Sequence, residues 1–331
     1  MHSALSPPAN SPLLQVKDLR VHFDTPAGRL KAVSGVSFEL NAGETLGLVG
    51  ESGCGKTVTA LSILRLLPAA HSEVRGEIRL GGEDVLALPE PRLREIRGDR
   101  IAMIFQEPMT ALNPVFTIGE QVAEALRLHR GLNREAAWEA AGQALARVGL
   151  ADPERRLTQY PHQLSGGLRQ RAMIAMALAC EPEMLIADEP TTALDVTIQA
   201  QILALLKSLK EEMGLAVLFI THNLGIVAQT TERVAVMYAG VIMEQAATPD
   251  LYKNPAHPYT ISLLAAVPKL DFHHAPGETL PAIRGQVPSL EALPQGCLFK
   301  DRCPDAREQC LEEPPWVEVG KGHWARCWNF G

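Results

Sequence analysis

Hydrophobic and polar positions alternate along the first part of the chain. Residues 13–45 contain alternating runs with turn sequences at "TPAGR" and "NAGE", which predicts short β-strands. An apolar run, "TLGLV", then ends at Gly50, and "TVTALSILRLL" after it has helical spacing. The chain is expected to open with small strands that lead into a strand–loop–helix unit.

Further along, hydrophobic positions recur at helical spacing and then alternate between strand and helix patterns. "TIGEQVAEALRLH" and "REAAWEAAGQALARVGL" predict helices, with ordinary apolar faces. Next come an apolar strand at Met184–Ala187, a helix in "VTIQAQILALLKSLKEEMG" and a strand in "LAVLFITH". This alternation is typical of an α/β fold with a parallel sheet.

The pattern changes again at both ends of the chain. Residues 1–12, rich in Pro, Ser and Asn, indicate a flexible arm. After Gln245 prolines interrupt the chain and long apolar runs become few. We therefore expect a main domain over residues 13–250 and a C-terminal extension over residues 251–331.

Composition narrows the class of protein. The chain has 331 residues, 46% hydrophobic and 21% charged, with a formal net charge of −7. An acidic balance argues against non-specific nucleic-acid binding, which needs a basic surface. The N-terminus lacks the pattern of a secretory signal, and no apolar run approaches the roughly 18 residues that span a bilayer. A cytosolic protein with reduced thiols is expected.

The strongest local motif is a phosphate-binding loop. Gly50, Gly55, Lys56 and Thr57 satisfy G-x-x-x-x-G-K-[ST] between a predicted strand and a predicted helix. Backbone N–H groups and the helix dipole suit phosphate oxygens, Lys56 would reach the β- and γ-phosphates, and the Thr57 hydroxyl would bind Mg²⁺. The expected ATP-binding residues of the loop are Gly50, Ser52, Gly53, Cys54, Gly55, Lys56 and Thr57, with Cys54 a small residue and not a nucleophile.

An acidic pair follows the strand at Met184–Ala187. Asp188 and Glu189 stand at its C-terminal end, where ligands bind in open parallel sheets. Asp188 would hold Mg²⁺, and Glu189 would act as the general base on the attacking water. Alone, such a pair can also cap a helix, so the assignment depends on the phosphate loop.

"LSGGLRQR" resembles the signature motif of ABC-type ATPases. Ser165, Gly166 and Gly167 begin a predicted helix and would form a second anion cradle. In that family the signature of one subunit covers the nucleotide of the other. The resemblance implies a RecA-like core with an antiparallel β subdomain, a helical subdomain over about residues 107–180, and a head-to-tail dimer.

Other motifs of the family follow in its order. "IFQEP" places Gln106 as the Q-loop glutamine that contacts Mg²⁺, "ALD" places Asp195 in the D-loop, and "FITHN" places His222 as the catalytic switch histidine. Asn223 departs from the family's usual Asp. Phe23 matches the aromatic residue that stacks on adenine, although Phe in an alternating strand is more often a core residue.

Several segments narrow the resemblance to bacterial dipeptide and oligopeptide importers. "NPAHPYT", "GEQVAEAL" and "YPHQLSGG" carry it, and it reaches into the C-terminal extension. It implies an ATP-hydrolysing subunit, peripheral at the cytoplasmic face of the inner membrane. Its expected partners are a second, different ATPase subunit, two membrane permeases and, indirectly, an extracytoplasmic peptide-binding protein, with no nucleic acid.

Four of the six cysteines lie near the C-terminus, at Cys297, Cys303, Cys310 and Cys327. Their spacing is not that of common zinc ribbons, and it does not choose between Zn²⁺ and a [4Fe–4S] cluster. The surrounding Pro- and charge-rich sequence is expected to offer little core to bury thiols. The resemblance to dipeptide-importer ATPases implies a [4Fe–4S] cluster on these four, with zinc as the alternative.

Rival interpretations stay open at this point. Nickel, opines or antimicrobial peptides are alternative substrates, because other chains select the substrate. From other classes, the chain would be a soluble ABC ATPase of DNA repair or translation, or an iron–sulfur sensor. The first usually carries two cassettes or a long coiled coil, and the sequence shows neither.

Overall fold

The computed structural model describes residues 11–26, 28–267 and 283–330. The predicted arm at residues 1–12 therefore lies almost wholly outside the described residues. The strands are β1 (Leu14–Thr25), β2 (Gly28–Leu40), β3 (Thr45–Val49), β4 (Ser72–Leu80), β5 (Glu83–Asp84), β6 (Ile101–Ile104), β7 (Met184–Asp188), β8 (Ala216–Thr221), β9 (Arg233–Tyr238), β10 (Val241–Ala247), β11 (Trp316–Gly320) and β12 (His323–Arg326).

Eleven α-helices are found among the described residues, with 3₁₀ turns at Pro161–Gln163 and Glu308–Leu311. The helices are α1 (Lys56–Ile63), α2 (Glu90–Ile96), α3 (Pro108–Ala111), α4 (Ile118–Arg130), α5 (Arg134–Arg147), α6 (Pro153–Leu157), α7 (Gly166–Leu178), α8 (Val196–Met213), α9 (Leu224–Thr230), α10 (Thr248–Lys253) and α11 (Pro258–Ala265). No helix in the described part of the chain is long and apolar enough to cross a membrane.

The chain divides into two compact units. The first comprises the described residues up to Glu39, Thr45–Leu86 and the described residues from Thr221 onward. The second comprises Leu40–Glu44 and Ala87–Ile220. The boundaries between the two units fall inside the domain predicted for residues 13–250. Each unit therefore combines segments that are separated along the sequence.

The first unit combines two kinds of sheet. An antiparallel sheet has the order β2–β1–β4–β5, and another run of strands has the order β11–β12–β10–β9–β3, in which only β3 and β9 are parallel. β1 and β2 are longer than the short strands expected. The pairing of β1 with β4 shifts register between Lys17 and Arg20, and this bulge breaks the alternation without ending the strand.

The second unit joins a parallel sheet to a helical layer. β6, β7 and β8 are parallel neighbours, with Ile101 opposite Met184 and Met184 opposite Ala216, and they are buried. α5 packs against α4 and α7. Its buried positions are mostly alanine, at Ala137 and Ala141, which allows helix axes to approach closely.

The C-terminal extension has more core than its composition suggests. Tyr238, Tyr259 and Phe299 are fully buried, with ring centroids 4.7–5.3 Å apart, and Cys297 and Cys310 lie in the same cluster. The expectation of little core in this region is therefore wrong. Local composition missed it because β9 and β10, far away in sequence, supply much of the apolar surface.

Candidate nucleotide-binding site

Two glycines of the phosphate loop stand where no other residue fits. A Cβ atom on Gly50 would lie 2.0 Å from the Met237 carbonyl oxygen, and one on Gly55 would lie 2.7 Å from that of Ala32. Gly55 also has a φ of 105°, which L-residues rarely adopt. The path of the loop therefore depends on close packing against backbone carbonyl groups from distant parts of the first unit.

Lys56 begins α1 and turns back across the loop. Its side chain is buried, and its Nζ donates to the carbonyl oxygens of Gly50 at 2.8 Å and Glu51 at 3.0 Å. The first turn of α1 has no acidic residue. A positive charge at a helix N-terminus without nearby carboxylates in that turn favours an anion.

The remaining loop residues differ in exposure. Ser52, Gly53 and Thr57 are exposed, whereas Cys54 is buried with its Sγ 3.8 Å from the Lys56 Nζ. Burial raises the pKa of the Cys54 thiol, and nearby Lys56 lowers it in part. A buried, protonated thiol agrees with a small structural residue and not with a nucleophile.

The acidic pair ends β7 in the second unit. Asp188 is buried, and Glu189 has a φ of 47°, in the left-handed region. The Glu189 Oε2 accepts from the Gln106 Nε2 at 3.2 Å and from the Thr192 Oγ1 at 2.8 Å. The structure thus brings two of the expected site residues, Gln106 and Glu189, into contact. Sequence reasoning missed Thr192, although it lies only three residues beyond the pair.

The signature residues form an exposed helix start. Ser165 is the N-cap of α7, and its Oγ accepts from the Leu168 N–H at 3.4 Å. Ser165 and Gly166 are exposed, while a Cβ on Gly167 would lie 2.9 Å from the Ile198 side chain. Asp195 caps α8 in the same way, accepting from the Ile198 N–H at 3.0 Å. Both residues therefore have a capping role that is independent of any ligand.

His222 and Phe23 stand at strand ends in the first unit. His222 follows β8 and is exposed, and the next residue, Asn223, caps α9 by accepting from the Gly225 N–H at 2.9 Å. This cap accounts for Asn at a position where the resembled family usually has Asp, since both are good N-caps. Phe23 lies near the end of β1 and is half-buried, which fits a core residue as well as an adenine platform.

The four C-terminal cysteines are not arranged as an evident metal site. Cys297 and Cys310 are buried, Cys303 and Cys327 are half-buried, and the Cys297 N–H donates to the Cys310 carbonyl at 2.9 Å. Burial raises the pKa of Cys303 to about 11, with neighbouring thiols adding to the effect. Within the described ranges, no group of three or more His, Cys, Asp or Glu could hold a metal ion.

Two polar contacts that sequence reasoning missed tie the C-terminal segment to the rest of the first unit. Arg302 pairs with Glu51 of the phosphate loop, at 2.6 and 3.0 Å. Fully buried Glu244 accepts from the backbone N–H groups of Ala256 and His257 and pairs with His323 at 2.7 Å. Arg302 lies 251 residues from Glu51, and His323 lies 79 residues from Glu244. The only local signal in the sequence was the "NPAHPYT" motif, which contains Ala256 and His257.

Comparison with known proteins identifies the family of this chain. Residues 33–192 match the ABC transporter family, and residues 243–310 match the C-terminal region of oligopeptide/dipeptide transporters. A probable peptide ABC transporter ATP-binding protein of Sinorhizobium fredii is 56% identical, over 96% of this chain and 95% of that protein. The chain belongs to the ATP-binding proteins of peptide ABC transporters.

Further relatives agree with this membership. The oligopeptide transport ATP-binding protein OppD of Escherichia coli is 50% identical to this peptide-transporter ATPase, over 96% of this chain and 93% of its own. Among solved structures, the dimeric ATP-binding cassette MJ0796, in a post-hydrolysis state with ADP and phosphate, has a TM-score of 0.64 and 30% identity. It covers 71% of this chain and 98% of its own, which supports the ABC cassette fold.

Proposed function

We propose that this chain is the ATP-hydrolysing subunit of an importer for dipeptides or oligopeptides. The observation that carries the proposal is the C-terminal match over residues 243–310, because shared cassette motifs do not distinguish substrates. The match favours peptides over nickel, opines or antimicrobial peptides. It also favours transport over a soluble repair or translation ATPase and over an iron–sulfur sensor.

The chain would act with other subunits. Two membrane permeases would receive peptide from an extracytoplasmic binding protein, and this chain would attach to them at the cytoplasmic face of the inner membrane. Residues 13–250 would form the nucleotide-binding domain, with its helical subdomain near residues 107–180. Residues 251–331 would form the extension typical of peptide importers, a view supported by the position of the C-terminal match.

The loop from Gly50 to Thr57 would bind the phosphates of ATP, with Phe23 against the adenine. Lys56 would exchange its carbonyl partners for phosphate oxygens, since a charged acceptor makes a stronger hydrogen bond than a neutral one. We propose Thr57, Gln106 and Asp188 as Mg²⁺ ligands, because hydroxyl, amide and carboxylate oxygens are donors that suit Mg²⁺. Bound there, Mg²⁺ would neutralise charge on the phosphates.

Glu189 would take the proton of the attacking water, and His222 would stabilise charge on the transferred phosphate. The two hydrogen bonds from Gln106 and Thr192 support this role, because they hold the Glu189 carboxylate in a defined position at the end of β7. The left-handed backbone at Glu189 is a further sign, since such conformations cluster at functional sites.

A second ATPase subunit would complete the site. Ser165, Gly166 and Gly167 would contact the nucleotide held by the partner subunit, and Asp195 would line the contact between the two. The exposure of the α7 N-terminus supports this role. We propose a partner of different sequence, so that the functional unit is a heterodimer.

The test is Glu189→Gln in the importer assembled with its permeases and second ATPase. ATP binding should be retained, because glutamine keeps the shape and hydrogen bonds, while turnover should fall by about a hundredfold or more without the base. Glu183→Gln is the matched control, since Glu183 lies in the same unit and forms an exposed ion pair with Arg100. Turnover equal to the control would refute the role of Glu189.

We propose further that Cys297, Cys303, Cys310 and Cys327 hold a [4Fe–4S] cluster, whose binding would have to gather their thiols into a metal site that the described residues do not form by themselves. The support is the donor chemistry and the mutual influence of the thiols: burial is the main cause of the raised pKa of Cys297, and Cys310 and Cys327 contribute. The raised pKa values mean that binding would release protons. The cluster would stabilise the fold of the extension.

Metal analysis of anaerobically purified protein tests this proposal. We expect about four irons per chain, lost in Cys303→Ser and kept in Cys180→Ser, since Cys180 is a buried cysteine of the other unit. Zinc in stoichiometric amount and no iron would contradict the cluster and indicate a zinc site on these cysteines instead.

A further inference from the structure

The C-terminal segment makes a direct, charged contact with the phosphate-binding loop. The Arg302 guanidinium donates to both carboxylate oxygens of Glu51, the second residue of the loop, at 2.6 and 3.0 Å. The Arg302 side chain is only 6% exposed and that of Glu51 only 27%. Such a bidentate, largely buried pair fixes both geometry and charge.

Arg302 is itself held from several sides. Its guanidinium carbon lies 5.6 Å from the centre of the Tyr238 ring and 5.9 Å from that of Phe299. Its Nε donates to the Arg284 carbonyl at 2.8 Å, and Glu51 is the main reason why its pKa is raised. The guanidinium is therefore pre-organised, and forming the pair with Glu51 restricts little additional motion.

Glu51 is fixed at its main chain as well. Its N–H donates to the Tyr259 hydroxyl at 3.0 Å, and Tyr259 packs on Tyr238 and Phe299. Its carbonyl oxygen accepts from the Lys56 Nζ. A continuous chain of contacts thus runs from Arg302 through Glu51 to the lysine of the loop.

The charge of Glu51 gives this contact a consequence for nucleotide binding. A carboxylate within a loop that binds a triphosphate repels the ligand unless a cation neutralises it. Removing one partner of a buried pair leaves the other charge uncompensated, which is far more harmful than losing an exposed pair.

We propose that Arg302 is a positioning residue for ATP binding, which neutralises Glu51 and holds the main chain that aims Lys56. The C-terminal extension thereby sets the affinity of the loop for ATP. This inference rests on the proposed role of the loop. It adds that ATP binding also requires Arg302, which lies outside the cassette motifs.

The experiment measures MgATP binding to the purified full-length chain by calorimetry. Arg302→Gln should raise the dissociation constant about tenfold, and Arg302→Lys, which keeps the charge but not the bidentate geometry, about threefold. The matched control is Arg326→Gln, because Arg326 pairs with Glu313 at 3.0 Å in the same segment, away from the loop. It should change the constant by less than about twofold.

A double variant separates positioning from folding. In a Glu51→Gln background the loop no longer carries this negative charge, so adding Arg302→Gln should have little further effect, and the double variant should bind MgATP better than Arg302→Gln alone. If Arg302 only stabilises the fold, the double variant should bind no better than Arg302→Gln. That result overturns the inference. If Arg302→Gln fails to fold, Arg302→Lys with and without Glu51→Gln makes the same distinction.

Lys56→Ala distinguishes failure of this inference from failure of the proposed site. If Lys56→Ala binds MgATP as the parent chain does, the loop assignment is wrong and the inference falls with it. If Lys56→Ala abolishes binding while Arg302→Gln matches the Arg326→Gln control, the site stands and only the role of Arg302 is refuted.

Discussion

Two helix starts in this chain carry glycine-rich anion motifs, yet they are built differently. At α1, Lys56 is buried, and Gly50 and Gly55 are enclosed by the carbonyl groups of Met237 and Ala32. At α7, Ser165 and Gly166 are exposed, and the Ser165 hydroxyl caps the helix. The loop from Gly50 to Lys56 is therefore a closed cradle that contains its own cation, Lys56. The start of α7 is an open surface.

This difference shows what each helix start would need in order to bind an anion. The loop before α1 contains its own charge and is supported by distant segments of the first unit, so the phosphate binding proposed for it would depend on that unit. The start of α7 has only backbone N–H groups and a dipole, which attract an anion weakly in water. It therefore suits a ligand already held by another subunit.

The largest expected difference follows from adding one methyl group to each cradle. Gly50→Ala would place a Cβ 2.0 Å from the Met237 carbonyl oxygen, so the loop must move and MgATP binding should fall by about a hundredfold or more. Gly166→Ala would place its Cβ 3.7 Å from the Leu194 side chain, which is ordinary contact.

Calorimetry with MgATP on the isolated chain compares the two variants. Gly166→Ala should bind like the parent, and its melting temperature should not fall, since Ala favours a helix over Gly. Equal weakening of binding by both variants would show that the two cradles do not differ as described.

A charge at the α7 start tests its function without damaging its fold. Asp and Asn both cap helices as well as Ser, so Ser165→Asp and Ser165→Asn should melt as the parent does and bind MgATP normally as isolated chains. In the assembled importer, Ser165→Asp should lower turnover at least tenfold, because its carboxylate repels the phosphates, while Ser165→Asn should have a much smaller effect. Equal turnover in the two variants would remove the signature residues from the site.

The loop was predictable from sequence because its information is local. Gly50, Lys56 and Thr57 lie within eight residues, and their spacing follows from the geometry of a strand, a tight turn and a helix. The strand that ends in Asp188 and the helix that begins at Gly166 were predicted for the same reason. Periodicity and capping act over a few residues.

The support of the loop could not be predicted in this way. Arg302 is 251 residues from Glu51, and nothing in "FKDRC" indicates which carboxylate it meets. The bulge in β1 likewise depends on its pairing with β4, and the buried aromatic cluster joins Tyr238, Tyr259 and Phe299, which are far apart in sequence. Whether four cysteines in this segment hold a metal is also not decided by their spacing, and it stays a prediction.

The last expected effect concerns stability and not nucleotide binding, and it is a pH dependence confined to the unit that holds the closed cradle. His257 caps α11 through its Nδ1, which accepts from the Tyr259 N–H at 3.0 Å, and burial lowers its pKa to about 4 despite a hydrogen bond to the Arg326 backbone. Unfolded chain binds this proton near pH 6.5 and folded chain near pH 4, so the free energy of unfolding should fall as pH drops through this window, by up to about 3 kcal/mol.

Hydrogen exchange at pH 7 and pH 5 can follow the two helix starts separately. Acid should reduce protection around α11 and the loop before α1, because protonated Nδ1 no longer caps α11 and Tyr259 contacts Glu51. The start of α7 should change less, since both histidines of its unit, His129 and His162, are at least partly exposed. His257→Asn keeps a capping oxygen without a titrating group and should abolish the difference between the two pH values. Equal loss of protection at both helix starts would instead indicate that acid acts on the whole chain, and His257 would have no special part in supporting the closed cradle.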